Sequence, residues 1–194
     1  METGHELFIH ELADMLDGER QLLEALQENA EDSSRGELKK AFEQHRQQTE
    51  GQIERLQQCF ELLGEQPEET ECHGIRGLIE EKKAFTEEDP SQDLIDVFNV
   101  GAAIKVESYE ICSYESLVDM AREMGHKKVA QLLGQNLKEE QQTLKKMEGF
   151  EKKVKPERMM TEEQEQQAQD REQQQRRSSR SSARSGSTRR KRAA

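Results

Sequence analysis

The chain has 194 residues, of which 36% are charged and 31% hydrophobic, and its formal net charge is −12. This length accommodates one ordinary domain with an appendage. The acidic balance excludes nucleic-acid binding by the body of the protein, because phosphate affinity depends on clustered Lys and Arg side chains.

The sequence has no sign of a membrane or secretory segment. No stretch approaches the roughly 18 apolar residues that a membrane helix needs, and the N-terminus lacks a basic region leading into an apolar run. Cys59 and Cys112 fall near predicted apolar faces, a placement typical of small buried hydrophobes, and the three cysteines lack metal-site spacing. These features predict a cytoplasmic protein without a membrane partner.

Apolar residues at helical spacing predict a first hairpin of two helices, over about residues 6–30 and 36–63. The turn Ser33-Ser34-Arg35-Gly36 separates them, and Ser34 with Glu37 matches a capping box for the second helix. Gly64 is a plausible C-cap for that helix.

A second predicted hairpin follows a long connection over residues 65–90, which contains one short amphipathic piece. Its helices span about residues 91–124 and 126–152, with Gly125 between them. The short turns make each pair antiparallel, whereas the long link can run the length of a bundle. The sequence therefore predicts an all-α, ferritin-like four-helix bundle over residues 1–155, with one long crossover containing a short helix.

The C-terminal part differs in composition. Residues 156–175 are a Glu/Gln-rich linker, and residues 176–194 are rich in Arg and Ser without an acidic residue. Neither stretch has the apolar content to offset the entropy of ordering, so both are predicted to be disordered or weakly helical. The basic residues between Arg176 and Arg192 could hold nucleic acid electrostatically, and a solubilising end is the alternative.

Several carboxylates are predicted to face the bundle interior. At roughly 100° per residue, Glu107 lies on the stripe that its helix buries, and a buried carboxylate is costly unless its charge is compensated. Glu19 and Glu140 hold similar positions on the first and last helices, and Glu110 lies near the edge of the stripe of Glu107. Converging carboxylates in a helical chain predict a metal site.

The contribution of the second helix is open at this point. His45 and Gln52 face the polar gap in its apolar stripe, whereas Glu50 lies about 100° from the centre of that stripe. His45 or Gln52 fits the helical geometry better, and Glu50 fits the usual ligand chemistry better. Tyr109 and Tyr114 are expected mainly to pack in the core, and a tyrosine beside such a site could hydrogen-bond a ligand carboxylate.

Three stretches, Glu6–Leu23, His45–Leu56 and Lys105–Tyr114, resemble the YciE/YciF ferritin-like stress-protein family, over about residues 5–150 in the same order. The resemblance implies a rubrerythrin-like bundle, often a homodimer, with a di-metal centre and a stress role. By position it implies the ligands Glu19, Glu50, Glu107 and Glu140, with Glu110 adjacent.

The chain departs from typical di-iron proteins where Glu-x-x-His is expected. It has Glu50-Gly-Gln-Ile53 and Glu140-Gln-Gln-Thr143, so both histidines are missing. The cofactor expected is di-iron, with manganese or no metal as alternatives. The leading hypothesis is a metal-binding stress protein that oxidises or sequesters Fe(II), at most an oxidoreductase of ferroxidase or peroxidase type. The alternative is a non-catalytic helical stress protein that acts through dimerisation or partner binding.

Overall fold

Helices dominate the computed structural model, which describes residues 1–157, 159–161, 164, 166 and 171. Within residues 1–157 there are five helices: α1 (Gly4–Asp32), α2 (Gly36–Leu63), α3 (His73–Glu87), α4 (Gln92–Glu123) and α5 (Lys127–Glu151). Residues Met1–Lys155 form one compact unit. The predicted basic tail, residues 176–194, lies outside the described residues, as does most of the predicted linker. Within the described part, no helix has the length and apolarity needed to cross a bilayer.

Helix contacts confirm the predicted bundle and its long crossover. Helices α1 and α5 each pack against both α2 and α4, and α3 packs on α1 and α4. The C-terminal end of α1 meets the start of α4, where the backbone N–H of Ser34 donates to Asp96 Oδ1 at 3.0 Å. Since α2 begins at the same end, α2 and α4 run in the same direction, and residues 64–91 return the chain along the length of the bundle. This is ferritin-like connectivity.

The helix ends confirm one predicted cap and correct another. Gly64 ends α2 in the left-handed region with φ of 73°, as its sequence position predicted. The capping box predicted for α2 is wrong, because Arg35 occupies the N-cap position and makes no side-chain cap bond. The hydroxyl of Ser34 instead donates to the buried Asp96, a tertiary contact that a local motif does not encode. Cys112, expected near an apolar face, is exposed, whereas Cys59 is buried.

Two apolar clusters fill the bundle, one toward each end. The first takes residues from early α1, late α2, late α4 and early α5, including Phe8, Leu12, Leu56, Phe60, Leu117 and Leu133. The second takes residues from the opposite halves of those helices and from α3, including Leu26, Leu38, Phe42, Ile75, Val100 and Met147. On every bundle helix, the residues between the two clusters that face inward are polar. This polar layer is where the candidate site lies.

Candidate metal centre

The polar layer consists of side chains with almost no solvent exposure. It contains eight residues from the four bundle helices: Glu19, His45, Thr49, Gln52, Glu107, Glu110, Asn136 and Glu140. The same helical periodicity that buries leucines above and below places these residues inward. Buried polar groups normally find hydrogen-bond partners, so unpaired atoms in such a layer call for an explanation.

Four of these residues converge on one point. Donor atoms of His45, Glu107, Glu110 and Glu140 all lie within 4.8 Å of one another. His45 Nε2 is 3.4 Å from Glu107 Oε1 and 3.7 Å from Glu140 Oε2. Both carboxylate oxygens of Glu107 and of Glu110, and one of Glu140, lack a hydrogen-bond partner. The cluster therefore contains five buried carboxylate oxygens without a hydrogen-bond partner, two of which lie within 4 Å of the His45 imidazole.

Glu19 joins the layer through a hydrogen bond from Tyr114. The Tyr114 hydroxyl donates to Glu19 Oε1, and the other carboxylate oxygen has no partner. Asn136 Nδ2 lies 3.0 Å from the Tyr114 hydroxyl and 3.3 Å from the Gln52 carbonyl oxygen, so its amide ties α4 to α2. Tyr114 thus packs in the core and also bonds a carboxylate of the layer, as its sequence position predicted.

On α2 the structure brings His45 into the cluster and leaves Glu50 outside it. The Glu50 side chain is 51% exposed and lies 3.3 Å from Arg46. Five residues separate Glu50 from His45, which rotates it about 140° around the helix axis. Gln52 is buried and donates its amide to Glu140 Oε1. Helix α2 therefore contributes the imidazole of His45 to the cluster and the amide of Gln52 as a hydrogen-bond donor to Glu140.

The electrostatics of the layer are those of acids crowded into a dry interior. Burial, followed by the charge of Glu140, raises the pKa of Glu107 well above its usual value. The pKa of Glu110 is raised by burial and then by the charge of Glu19. Burial and the charge of Glu140 raise the pKa of Glu19, while the bond from Tyr114 opposes that rise. The buried acids are therefore driven toward the neutral form unless a cation joins them.

Sequence reasoning missed the support at the edge of this layer. Arg55, whose side chain is 19% exposed, donates to Asn136 Oδ1 and to a Glu139 carboxylate oxygen. It thereby fixes the amide that holds Tyr114 and Gln52. Periodicity gave no signal for Arg55, because a charged residue on the flank of a helix usually belongs to the solvated surface.

The donor set suits a metal ion. Carboxylate oxygens favour hard ions such as Mn²⁺, and imidazole suits iron and zinc. Opposite ligands around an ion with bonds of about 2.1 Å lie roughly 4.2 Å apart, so small inward movements would close the cluster around an ion. This His/Glu group could hold a metal ion, and its chemistry alone does not select which one.

The sequence also places the chain in a protein family. Residues 3–160 match the family described as "Domain of unknown function (DUF892)". The chain belongs to this family. It is 38% identical over 144 residues to protein YciF of Escherichia coli (strain K12), an alignment that covers 74% of this chain and 87% of YciF.

Solved structures agree with the family assignment and the fold. The crystal structure of the E. coli stress protein YciF matches with a TM-score of 0.75 and 37% identity, over 78% of this chain and 96% of that chain. YcfI of Rhodopseudomonas palustris matches with a TM-score of 0.73 and 34% identity, over 76% and 94% of the two chains. A two-domain Anabaena variabilis protein containing a ferritin-like domain matches at 19% identity and a TM-score of 0.57, over 82% of this chain and 41% of its own. That match shows the fold alone.

Proposed function

We propose that this protein binds one or two iron or manganese ions in the polar layer of its bundle and serves in a stress response by sequestering Fe(II) or oxidising it, with dioxygen or peroxide as the electron acceptor. The observation that carries the proposal is the convergence of four buried donor residues, His45, Glu107, Glu110 and Glu140, whose carboxylates include five oxygens without a hydrogen-bond partner. Leaving such groups unpaired is costly in a low-dielectric interior, and a divalent cation is the ligand that compensates them. The stress role is taken from the relative YciF, whose structure is described as that of a stress protein.

The residues divide naturally between two ion positions. His45, Glu107, Glu110 and Glu140 would hold the first ion, because their donor atoms already converge. Glu19, which lies in the same polar layer, would supply a carboxylate for a second ion. A bound iron or manganese ion would supply Lewis-acid and one-electron chemistry in an environment shielded from bulk water.

The surrounding side chains would orient the ligands. Gln52 donates to one oxygen of Glu140 and leaves Oε2 toward His45. Tyr114 does the same for Glu19. Asn136 donates to the Tyr114 hydroxyl and to the backbone carbonyl oxygen of Gln52, so it holds the donor to Glu19 and anchors α2 beside it, as outer hydrogen bonds do in metal sites generally.

Metal uptake tests the proposal. The purified chain, stripped with a chelator and dialysed against Fe(II) under anaerobic conditions or against Mn(II), should retain one or two ions per chain by elemental analysis. The double variant Glu107→Gln, Glu140→Gln should retain none. Glu50→Gln is the matched control and should bind like the wild type, since Glu50 is exposed and outside the cluster.

Metal-dependent stability gives a second readout. An ion that binds only the folded state at 100 times its Kd stabilises that state by about 2.7 kcal/mol. The wild type and Glu50→Gln should show an increase of that order, and the double variant should not. Absence of stoichiometric uptake by the wild type would contradict the proposal and favour the non-catalytic alternative, in which protonation of the acids replaces the ion.

A further inference from the structure

An apolar cavity between α1, α3 and α4 extends to the candidate metal centre. It encloses about 30 Å³, roughly twice the 10–15 Å³ that one water-sized molecule requires. Most of its wall is aliphatic, with side chains from all three helices: Leu22, Leu26, Leu78, Ile79, Ala103 and Val106. Asn29 and Lys82 also line it. Aliphatic walls of this kind accept small apolar guests.

The inner end of the cavity is formed by the metal centre itself. His45 and Glu107 both line it. Neither Glu107 oxygen has a hydrogen-bond partner, and neither has His45 Nδ1. A molecule in the cavity would therefore lie directly beside two of the four converging donors.

Helix α3 covers the outer side of this cavity and is tied down at both of its ends. The backbone N–H of Cys72, at the N-cap of α3, donates to Asp17 of α1 at 2.8 Å. Toward the other end, Lys82 Nζ donates to Asp32 of α1 at 2.9 Å. The cavity is thus a built feature of the crossover and the bundle together.

A second approach to His45, on the opposite face, has a different character. A groove of about 210 Å³ between α2 and α5 is lined by amide, hydroxyl and ammonium groups, including Gln44, Gln48, Thr143 and Lys146, and also reaches His45. Moving an ion along apolar walls costs far more than moving it along polar ones. The polar groove therefore suits hydrated solutes, and the apolar cavity suits a small molecule without charge.

We propose that the apolar cavity between α1, α3 and α4 is a binding site for a small neutral molecule of the dioxygen class, which it places beside His45 and Glu107. The use of such a molecule as an oxidant rests on the proposed function. The binding itself depends only on the shape and polarity of the cavity, so it is testable in the metal-free protein.

The probes are xenon and dioxygen, applied under pressure to the metal-free full chain with methyl groups observed by NMR. Dioxygen should enhance relaxation, and xenon should shift resonances, more strongly at Leu26, Ile79 and Val106 than at methyl groups of the first apolar cluster. Ala25→Leu fills the cavity and should abolish this preference. Ala130→Leu is the matched control. Both alanines are 8% exposed, but Ala25 lines the cavity whereas Ala130 lies in the first apolar cluster.

The possible NMR results either support or overturn the cavity proposal. Uniform effects over both clusters in the wild type, or an unchanged preference in Ala25→Leu, would overturn the proposal, whereas loss in Ala25→Leu with retention in Ala130→Leu supports it. Added bulk at a buried site costs typically 1–3 kcal/mol. If Ala25→Leu does not fold, the smaller change Ala103→Val provides the same test.

Metal uptake distinguishes this proposal from the previous one. Ala25→Leu alters no donor, so it should bind Fe(II) or Mn(II) in the same stoichiometry as the wild type. Gas binding without metal uptake in the wild type would refute the metal function and leave the cavity site intact. Metal uptake without preferential gas binding would refute the cavity site alone.

Discussion

Neutralising Glu110 should stabilise the metal-free protein at neutral pH. Glu110 is fully buried, and neither of its carboxylate oxygens has a hydrogen-bond partner, so Glu110→Gln replaces a titratable acid with a neutral side chain without breaking a bond. Its pKa is raised by burial and by the neighbouring charges of Glu19, Glu140 and Glu107. A buried acid with a raised pKa destabilises the folded state relative to the unfolded state, and this destabilisation increases with pH.

The magnitude follows from proton linkage. In the unfolded chain Glu110 ionises with its ordinary pKa of 4.5, whereas the folded chain retains the proton to higher pH. Below pH 4.5 both states bind the proton, and the cost vanishes. As the pH rises above 4.5, the unfolded state is increasingly favoured by about 1.4 kcal/mol per pH unit, up to the folded-state pKa. At pH 7 the penalty is therefore at most about 3.5 kcal/mol, and Glu110→Gln should recover up to that amount.

Urea denaturation followed by far-UV circular dichroism, with a chelator present, measures this effect at pH 4 and pH 7. Glu110→Gln should raise the free energy of unfolding at pH 7 and change it little at pH 4. Glu50→Gln is the control and should stay within about 0.5 kcal/mol at both values, because Glu50 makes only an exposed ion pair with Arg46. A loss of stability in Glu110→Gln at pH 7, or an equal gain at both pH values, would refute the reasoning.

Two further pairs of variants test the packing around the site. Leu56→Ala should lower the free energy of unfolding in urea by about 2–5 kcal/mol, because Leu56 is fully buried. Leu62→Ala should lower it by less than about 0.5 kcal/mol, because Leu62 is 49% exposed. Equal losses would contradict the assignment of Leu56 to the core. In α3, Gly77→Ala should gain about 0.5–1 kcal/mol in thermal unfolding, since a Cβ there meets nothing within 4 Å. Gly74→Ala should instead destabilise the protein by about 1–3 kcal/mol, because the new Cβ would lie 2.6 Å from the Tyr109 ring. If Gly74→Ala stabilised the protein as much as Gly77→Ala, α3 would not pack as described.

We expect the clash at position 74 to be costly because Tyr109 is held by contacts of its hydroxyl group. The Tyr109 hydroxyl lies 3.5 Å from Cys72 Sγ and donates to Asp14 at 3.4 Å. The ring is thus fixed between α1 and α3 and cannot swing away without losing both contacts. Cys72 shares this apolar setting, and burial raises the pKa of its thiol to about 11.

The sequence alone determined the number of bundle helices, their order and the inward position of Glu19, Glu107 and Glu140. The reason is that helical periodicity is a local property, and a lone acid on an apolar stripe stands out against it. The long connection over residues 65–90 likewise indicated a crossover, because its length excludes a tight turn.

Only the tertiary structure decided which side chain of α2 meets those acids. On a single helix His45, Gln52 and Glu50 were all open, and the choice depends on how α2 is rotated against α4 and α5. That rotation buries His45 between Glu107 and Glu140, directs Gln52 onto Glu140, and leaves Glu50 beside Arg46. Packing of whole helices sets such an angle, and no local pattern records it. The same reason explains why Ser34 bonds Asp96 instead of capping its own helix.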